Sequence, residues 1–300
     1  MENQLHITVL LGGPGEEREV SLRSGKAVIE ALQSLGHRVD EVDPRAADWR
    51  LGPGTEVVFL ALHGEYGEDG QVQARLEADG VPYTGTGVRG SELAFDKELT
   101  KNIFAEKGIP TPRWLMVNSI GSPAPVGLPA PWVLKPVRQG SSVGLQLVDD
   151  ASQWESALAA AGEHGGKILC EECVEGREIT VGILDGKALP IVEIQPRKGA
   201  FDYHNKYTVG ATDFVCPADF SAERTEAIAR LGVEAFEAVE GRDFGRVDMM
   251  LDTDLNLFVL EVNTLPGLTQ NSLLPRAAAA AGMEFPALCG RMVELAMKRN

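Results

Sequence analysis

Two late segments of the chain alternate apolar residues with side chains that carry polar groups. In "GRVDMML", Arg246 and Asp248 stand two residues apart, and in "LFVLEVN" the same spacing separates Glu261 from Asn263. Side chains two positions apart on a β-strand point to the same face, so each strand has one polar and one apolar face. A four-residue loop over 253–256 would close a hairpin with Asp248 opposite Glu261 and Arg246 opposite Asn263.

The facing carboxylates predict a cation between them, because two carboxylates repel each other at this distance. Oxygen ligands without histidine or cysteine suit magnesium or manganese, which keep waters and take phosphate oxygens as further ligands. The alternative is a solvated sheet face on which polar side chains merely avoid burial. Three oxygen donors beside an arginine favour a metal and phosphate site at Asp248, Glu261 and Asn263, with Leu260 and Val262 facing the core.

A second candidate site lies in "VLKPVRQGSSVGLQLV". Lys135 ends a buried strand there, and residues 140–144 form a glycine-serine loop before the next strand. Backbone N–H groups and hydroxyls of such a loop can fold over phosphates, and a lysine binds phosphate as a compact charge. A mobile hairpin tip explains the same pattern, and the segment alone leaves both interpretations open.

Three more segments carry candidate groups. His63 follows the buried strand "VVFLAL", and Glu17 follows the first strand, so both are predicted at the carboxyl edge of a sheet, where ligands of open α/β sheets gather. A structural histidine and a turn whose acids complement a helix dipole are the alternatives. The long polar loop "FDYHNKYTVG", with Lys206 and Tyr207, is typical of a lid.

Two apparent nucleotide motifs are rejected. The G-x-G-x-x-G of residues 85–90 lacks an acidic residue at the end of the following strand and is not in the first strand-helix turn, where a dinucleotide fold places it. Gly25-Lys26-Ala27 lacks the glycine spacing and the Ser or Thr of a Walker loop. We therefore expect the former to be a connecting loop and the latter to lie inside a helix.

The hydrophobic pattern predicts an α/β protein. Strands and helices alternate from "HITVLLGG" through "QVQARLEADG" to a short strand "VPYTG", and one long helix is expected from Ser91 to Gly108. The pattern then becomes that of an antiparallel sheet, with a hairpin at Asp185-Gly186. Two helices close the chain.

Composition limits the function classes. The 300 residues suffice for two or three α/β units, and the content of 44% hydrophobic and 24% charged residues is that of a globular protein. A formal net charge of -16 disfavours nucleic acid as a partner. Without a signal peptide or a membrane-spanning apolar stretch, we expect a cytoplasmic protein with no membrane partner. The four cysteines, including the C-x-x-C of Cys170 and Cys173, form neither a disulfide framework nor a zinc site.

In order and spacing, seven segments resemble the D-alanine:D-alanine ligases, a family of the ATP-grasp superfamily. They are "GGPGEEREVS", "HGEYGEDGQVQA", "KPVRQGSSVG", "EGREITV", "DYHNKY", "GRVDMM" and "LEVNTLPGLTQNSLLP". The resemblance implies an ATP-grasp fold, α/β overall and α+β in the ATP-binding half, in which two domains grip ATP between antiparallel sheets. The implied domains are residues 1–90, 91–177 and 178–300.

The resemblance also assigns residues. Phosphates would be held by Lys97, Lys135, Ser142 and Lys206, adenine by Glu171 and Val174, the ribose by Glu178, and two magnesium (or manganese) ions by Asp248, Glu261 and Asn263. The first D-alanine would lie at Glu17 and His63, and the carboxylate of the second at Ser272 and Leu273. Glu17, Ser141 and Tyr207 would form a network, and Arg246 with the N–H of Gly267 would bind the oxyanion.

The implied reaction is ATP-dependent ligation of two D-alanines through an acylphosphate, for peptidoglycan precursor synthesis, by a homodimer. Alternatives are another ATP-grasp carboxylate-amine ligase, a D-alanine:D-lactate ligase, or a nucleotide-binding module without turnover. Tyr207 favours the dipeptide, since ester-forming relatives carry Phe at the lid position. Glu172 and Cys173 depart from the lysine and aromatic residue common in the adenine strand, whereas Val137, in place of a frequent Ser, has little consequence.

Overall fold

The chain begins with a three-stranded parallel sheet in the computed structural model, which describes residues 4–119, 121–140, 142–197 and 211–299. The first elements of the chain are β1 (His6–Leu10), α1 (Arg18–Ser34), β2 (Arg38–Val42), β3 (Val57–Leu60) and α2 (Gln71–Ala78). The order is β2-β1-β3, and β1 and β3 are buried along their whole length, as their apolar runs predict. The strand predicted in "VPYTG" is wrong. Only Tyr83 pairs there, with Val58, because Pro82 has no N–H to donate and Gly85, at φ 90°, turns the chain away.

The predicted single helix from Ser91 to Gly108 is also wrong. Two helices, α3 (Val88–Phe95) and α4 (Lys97–Lys107), meet at Asp96 instead. Asp96 is extended, and its carboxylate accepts hydrogen bonds from the N–H groups of Glu98 and Leu99 at 3.1 and 3.2 Å, so it caps α4. The break places Lys97 at the start of α4.

The second sheet is antiparallel, in the order β4-β7-β5-β6. Its elements are β4 (Trp114–Asn118), β5 (Trp132–Pro136), β6 (Gln146–Val148), α5 (Trp154–Gly162) and β7 (Lys167–Glu172). A short 3-10 turn over Ala151–Gln153 leads into α5. One face of this sheet packs with α5 around Trp132 and Trp154, whose rings meet edge to face at 5.4 Å. The other face is left for the cavity described below.

The third sheet has six strands. Its elements are β8 (Gly176–Leu184), β9 (Lys187–Ala188), β10 (Val192–Pro196), β11 (Thr212–Val215), α6 (Ala222–Ala238), β12 (Phe244–Asp252) and β13 (Leu257–Asn263). The main path is β11-β10-β8-β12-β13, with β9 on β8. The predicted hairpin is confirmed: Asp185 and Gly186 both have positive φ, as a type I′ turn requires. Helix α6 covers the apolar face through Ile228 and Phe236.

Of the two closing helices, the first packs on β8 and β10 of the third sheet and the second returns to the first sheet. They are α7 (Leu273–Ala280) and α8 (Phe285–Met297). Helix α8 packs on α1 and β3, where Leu288 and Met292 share one core with Leu32 and Phe59. The end of the chain is thus packed against its beginning. The division into residues 1–90, 91–177 and 178–300 stays a prediction. Among the helices of the described ranges, none is both long and apolar enough to cross a membrane.

Candidate active site

A cavity of about 440 Å³ lies between the second and third sheets. Strands β5 and β7 supply one wall, and β8, β10, β12 and β13 supply the other. Predicted site residues that line it are Lys97, Lys135, Ser142, Glu171, Val174, Glu178, Asp248 and Glu261. Apolar side chains, among them Val133, Leu145, Leu147 and Met250, line the same space. The cavity thus combines apolar surface with placed groups of both charge signs, as small-molecule sites commonly do.

The predicted pairing of the two polar strands is confirmed, and so is the four-residue loop over 253–256 between them. Asp248 pairs with Glu261 and Arg246 with Asn263. Leu251 pairs with Leu257 rather than with Phe258, and a β-bulge at the step between Met249 and Asp248 restores the predicted register.

The bulge moves Leu260 to the other face. The prediction that Leu260 is buried in the core is therefore wrong: it lines the cavity, and Val259 takes its place in the core beside Met249 and Val262. Strict alternation fails here because the extra residue of a bulge shifts the side-chain period by one. Glu261 and Asn263 keep their predicted positions.

Arg246 and Asp248 form a buried ion pair within β12. Both guanidinium contacts to the carboxylate measure 2.8 Å, and the hydroxyl of Thr180 lies 2.6 Å from Oδ1 of Asp248. Burial alone would lower the pKa of Arg246, but the charge and hydrogen bonds of Asp248 raise it above its usual value. Arg246 is therefore a permanent cation. Thr180 carries no sequence signal that separates it from other strand threonines.

The donor set at this end of the cavity fits a hard divalent ion. Oδ1 of Asn263 is buried and has no hydrogen-bond partner in the described ranges, beside the facing carboxylates of Asp248 and Glu261. An orphaned buried oxygen is costly unless something binds it. No group of three or more His, Cys, Asp or Glu side chains within residues 4–119, 121–140, 142–197 and 211–299 is placed to hold a metal. An ion would therefore need the amide of Asn263 and further oxygens from nucleotide and water.

A carboxylate held by two lysines lies at the wall formed by β5 and β7. Oε2 of Glu171 is 2.5 Å from the ammonium of Lys135, and Lys101 contacts the other oxygen. Burial alone would raise the pKa of Glu171, but the two ammonium groups lower it to about 2. Lys101 was not predicted, because a lysine inside a helix gives no sign that it is buried.

Lys97 completes the positive end of the cavity. Its ammonium donates to the carbonyl oxygen of Gln139 at 2.5 Å, next to the glycine-serine loop. Burial lowers its pKa, and the carboxylate of Glu261 opposes that shift. Lys97 and Lys135 thus lie where an anion entering the cavity would meet both. Ser142 is left-handed, at φ 60°, in the same loop.

Glu17 is packed between two glycines from different parts of the chain. A Cβ atom at Gly64 would lie 2.6 Å from Oε2 of Glu17, and one at Gly140 would lie 2.5 Å from it. Only glycine permits this approach on both sides. Glu17 therefore lies next to the His63 loop, as predicted, and also next to the glycine-serine loop, and its side chain is buried.

His63 is held through both ring nitrogens. Nδ1 lies 2.9 Å from the carbonyl oxygen of Leu265, and Nε2 lies 3.0 Å from the hydroxyl of Ser24. The carboxylate of Glu68 is 3.6 Å from Nδ1. Burial raises the pKa of Glu68 against the opposing effect of His63. His63 thus fastens the first sheet to the loop that carries Gly267.

Gly267 lies against the start of α7. A Cβ atom at Gly267 would meet Oγ of Ser272 at 3.0 Å, and Ser272 also accepts a hydrogen bond from the N–H of Thr269 at 3.1 Å. Ser272 is the N-cap of α7 and Leu273 its first residue. The first N–H groups of a helix have no partner within it and favour an anion such as a carboxylate.

The remaining predicted groups divide into two sets. Ser141, Lys206 and Tyr207 lie outside the described residues. The expected connecting loop covers only residues 85–87 of the rejected motif, and residues 88–90 begin α3. Asp243 accepts from the N–H of Gly85 at 3.0 Å, and Arg242 donates to its carbonyl at 2.9 Å. Gly25 lies inside α1, and all four cysteines are free thiols.

Comparison with known proteins adds a second line of observation. Residues 103–294 match the family model described as "D-ala D-ala ligase C-terminus", and residues 37–86 match "D-ala D-ala ligase N-terminus". The D-alanine–D-alanine ligase of Methylacidiphilum infernorum is 44% identical over 98% of this chain and 96% of its own length. That of Syntrophotalea carbinolica is 43% identical over 99% and 98%.

Solved structures agree with this result. Two crystal structures of D-alanine–D-alanine ligase from Bacillus anthracis resemble the chain, each over 98% of both chains. One has a TM-score of 0.85 at 32% identity, and the other, complexed with ATP, has a TM-score of 0.84 at 31% identity.

Proposed function

The chain belongs to the D-alanine–D-alanine ligase family, and on that premise we propose that it joins two D-alanines into D-alanyl-D-alanine while ATP becomes ADP and phosphate. Its fold is that of the ATP-grasp enzymes. The observation that carries the proposal is the cavity between the second and third sheets, at one end of which Asp248 faces Glu261 beside Arg246.

We propose that ATP fills this cavity lengthwise. Val133, Leu147 and Met250 offer apolar surface for the adenine, which would meet Glu171 and the backbone of Val174. Glu178 would accept hydrogen bonds from the ribose hydroxyls. The phosphates would reach Lys97, Lys135 and Ser142, with Lys206 added from the loop beyond the described residues.

Asp248, Glu261 and Asn263 are proposed to hold two Mg²⁺ ions (or Mn²⁺) together with the phosphates. Bound there, the ions would neutralise phosphate charge and so let an anionic carboxylate approach. The chain supports this with Arg246, which is tied to Asp248 and cannot lose its proton at any ordinary pH.

In the first step an oxygen of the first D-alanine's carboxylate attacks the γ-phosphorus of ATP. The bond between that phosphorus and the β,γ-bridging oxygen breaks, and ADP leaves with the electron pair. A carboxylate is a poor electrophile, and the acylphosphate so formed has a good leaving group. Glu17 is proposed to hold the ammonium of this D-alanine, with His63 nearby and with Ser141 and Tyr207 completing the network.

In the second step the amine of the other D-alanine attacks the acyl carbon and loses a proton. The tetrahedral intermediate collapses as its carbon–oxygen bond to phosphate breaks, which releases phosphate and the dipeptide. Arg246 and the N–H of Gly267 are proposed to bind the oxyanion, and such fixed donors are often the largest catalytic contribution. Ser272 and Leu273 would hold the carboxylate of the incoming amino acid at the start of α7.

Phosphate release tests the proposal. With ATP and Mg²⁺ present, release should require D-alanine and should be absent with L-alanine or with no addition, while D-lactate should support little. Release without D-alanine, or none with it, would refute the ligase function. A rate with D-lactate as second substrate that exceeds the rate with D-alanine would favour the ester-forming alternative.

We also propose a cellular role, a location and an oligomeric state for the protein. A ligase of this product serves peptidoglycan precursor synthesis, and an ATP-consuming reaction of this kind is placed in the cytoplasm. We also propose a homodimer, which light scattering of the purified protein would test: a mass near twice that of the 32.2 kDa chain is expected, and a monomer would refute it.

A further inference from the structure

Lys101 is a fully buried lysine next to the proposed nucleotide cavity. Its side chain is 1% exposed, and it lies one turn of α4 after Lys97. Unlike Lys97 and Lys135, it does not line the cavity. An ammonium group at such a depth is strongly unfavourable unless it is paired and hydrogen-bonded, so its partners determine what it does.

The contacts of Lys101 join the two walls of the cavity. Its ammonium contacts the carboxylate of Glu171 on β7 and donates to the hydroxyl of Thr111. That hydroxyl in turn donates to the carbonyl oxygen of Val259 on β13 at 2.7 Å. Val259 immediately precedes Leu260, the bulged residue before Glu261. Lys101 therefore connects the adenine wall to the strand that carries a proposed metal ligand.

The two lysines on Glu171 are not equivalent. Lys135 is 13% exposed and lines the cavity, whereas Lys101 lies behind the wall. If Lys135 turned to a nucleotide phosphate, Glu171 would keep a buried negative charge, which needs a cation in contact. Lys101 can supply that charge in both positions of Lys135, since burial and the link to Thr111 hold it in place.

We propose that Lys101 is a positioning residue of the nucleotide site: it gives Glu171 a second cationic partner in a fixed position, which frees Lys135 to bind phosphate, and through Thr111 it fixes β13. This inference rests on the proposed function, because it takes the cavity to be the ATP site. Lys101 itself touches no substrate.

The test compares Lys101→Met with Lys107→Met, a change of an exposed lysine on the same helix. The dissociation constant of ADP with Mg²⁺ is measured by calorimetry, and KM for ATP and for D-alanine by phosphate release. We expect Lys101→Met to weaken ADP binding and raise KM for ATP by about tenfold or more, a usual size for coupling between neighbouring sites. KM for D-alanine should change less than about twofold, and Lys107→Met should match the wild type.

A purely structural role would lower the fraction of active enzyme and leave the ADP affinity of the folded fraction unchanged. Wild-type ADP affinity in folded Lys101→Met would therefore overturn the inference. If Lys101→Met does not fold, the double variant Lys101→Met/Glu171→Met tests the pairing instead, because it also removes the carboxylate whose charge Lys101 offsets. Recovered folding would support the pairing, and no recovery would overturn it. A wild-type protein that binds no ADP would instead refute the proposed function, and the inference with it.

Discussion

Nδ1 of His63 lies 2.9 Å from the carbonyl oxygen of Leu265, a residue 202 positions later in the chain. A carbonyl oxygen only accepts hydrogen bonds, so the neutral ring carries its hydrogen on Nδ1 and presents Nε2 as an acceptor. The hydroxyl of Ser24, 3.0 Å away, then donates to Nε2 and accepts from the N–H of Leu268 at 3.3 Å. His63, which follows β3, and Ser24 on α1 thus hold the loop at Leu265 and Leu268, on either side of Gly267 in sequence.

Replacing Ser24 with alanine should loosen this loop. The change leaves Nε2 of His63 and the N–H of Leu268 without their partner, which costs about 1–3 kcal/mol when such groups stay buried. We expect Ser24→Ala to lower the free energy of unfolding by that amount and to reduce kcat. Urea unfolding and phosphate release measure the two effects.

Ser34→Ala is the matched control, since Ser34 bonds only locally, to the carbonyl of Ala31, at the end of the same helix. It should leave kcat unchanged. Equal kcat in wild type and Ser24→Ala would contradict the role assigned to the His63 network.

Replacing Glu261 with glutamine should remove most turnover while the protein stays folded. The neutral amide keeps the shape of the side chain but loses the charge that faces Asp248. We expect kcat to fall by on the order of 100-fold or more, as the loss of several kcal/mol of transition-state stabilisation implies. Mn²⁺ binding in the presence of ADP, followed by electron paramagnetic resonance, should weaken in parallel.

The exposed Glu237 on α6 provides the control for that change. Glu237→Gln should retain both turnover and Mn²⁺ affinity. Normal Mn²⁺ binding and turnover in Glu261→Gln would show that the metal ligands lie elsewhere.

The buried carboxylate of Glu171 should make stability depend on pH in a defined window. Its pKa is about 2 in the folded chain, below the ordinary value of 4.5, so the folded state binds this proton less tightly than the unfolded state. The contribution of ionised Glu171 to the free energy of unfolding is therefore complete above pH 4.5 and is lost as the pH falls toward 2. This difference in pKa corresponds to about 3 kcal/mol in the free energy of unfolding.

The measurement is urea unfolding from pH 2.5 to 7 for the wild type and Glu171→Gln. Their difference in free energy of unfolding should be level above about pH 4.5, the ordinary pKa, and should shrink below it. The difference between the wild type and Glu237→Gln should stay flat throughout. A difference for Glu171→Gln that is constant down to pH 2.5 would mean that Glu171 is not held as an ion by its two lysines.

Gly267 should not tolerate a side chain. A Cβ atom there would lie 3.0 Å from Oγ of Ser272, so one of the two must shift, and both are proposed to touch the second D-alanine or its product. We expect Gly267→Ala to raise KM for the second D-alanine and to lower kcat, by up to the roughly 100- to 1000-fold that the loss of one oxyanion donor costs. Steady-state rates at varied D-alanine give both constants.

Gly127→Ala is the control, because a Cβ atom at Gly127 would meet no atom within 4 Å. It should behave as the wild type. If Gly267→Ala did the same, neither the oxyanion role of this N–H nor the position of Ser272 would stand.

The sequence predicted those parts of the site that depend on local pattern. Alternation along two strands was enough to place Asp248 opposite Glu261, and the turn preference of Asp185-Gly186 was enough to place a hairpin. The bulge at Leu260 was missed because neither a glycine nor a proline marks it. The helix break at Asp96 had a visible cause, because aspartate is a preferred N-cap residue. It was missed because the helical spacing of the apolar residues continues across Asp96.

What the sequence could not provide were contacts between distant parts of the chain. Lys101 meets Glu171 across 70 positions, and His63 meets Leu265 across 202. In sequence, Lys101, Glu171 and His63 are charged or polar residues at ordinary positions, and Leu265 is one apolar residue among many. Only the packing of the sheets against each other makes them partners, and no local preference encodes that packing.

We propose that the first D-alanine is activated by direct transfer of the γ-phosphoryl group to its carboxylate, which isotope labelling tests. D-alanine with both carboxylate oxygens labelled as ¹⁸O is incubated with the protein, ATP and Mg²⁺, and the phosphate and dipeptide are analysed by mass spectrometry. Direct transfer predicts one ¹⁸O in each phosphate released and one dipeptide for each phosphate. Unlabelled phosphate, or phosphate without dipeptide, would contradict it.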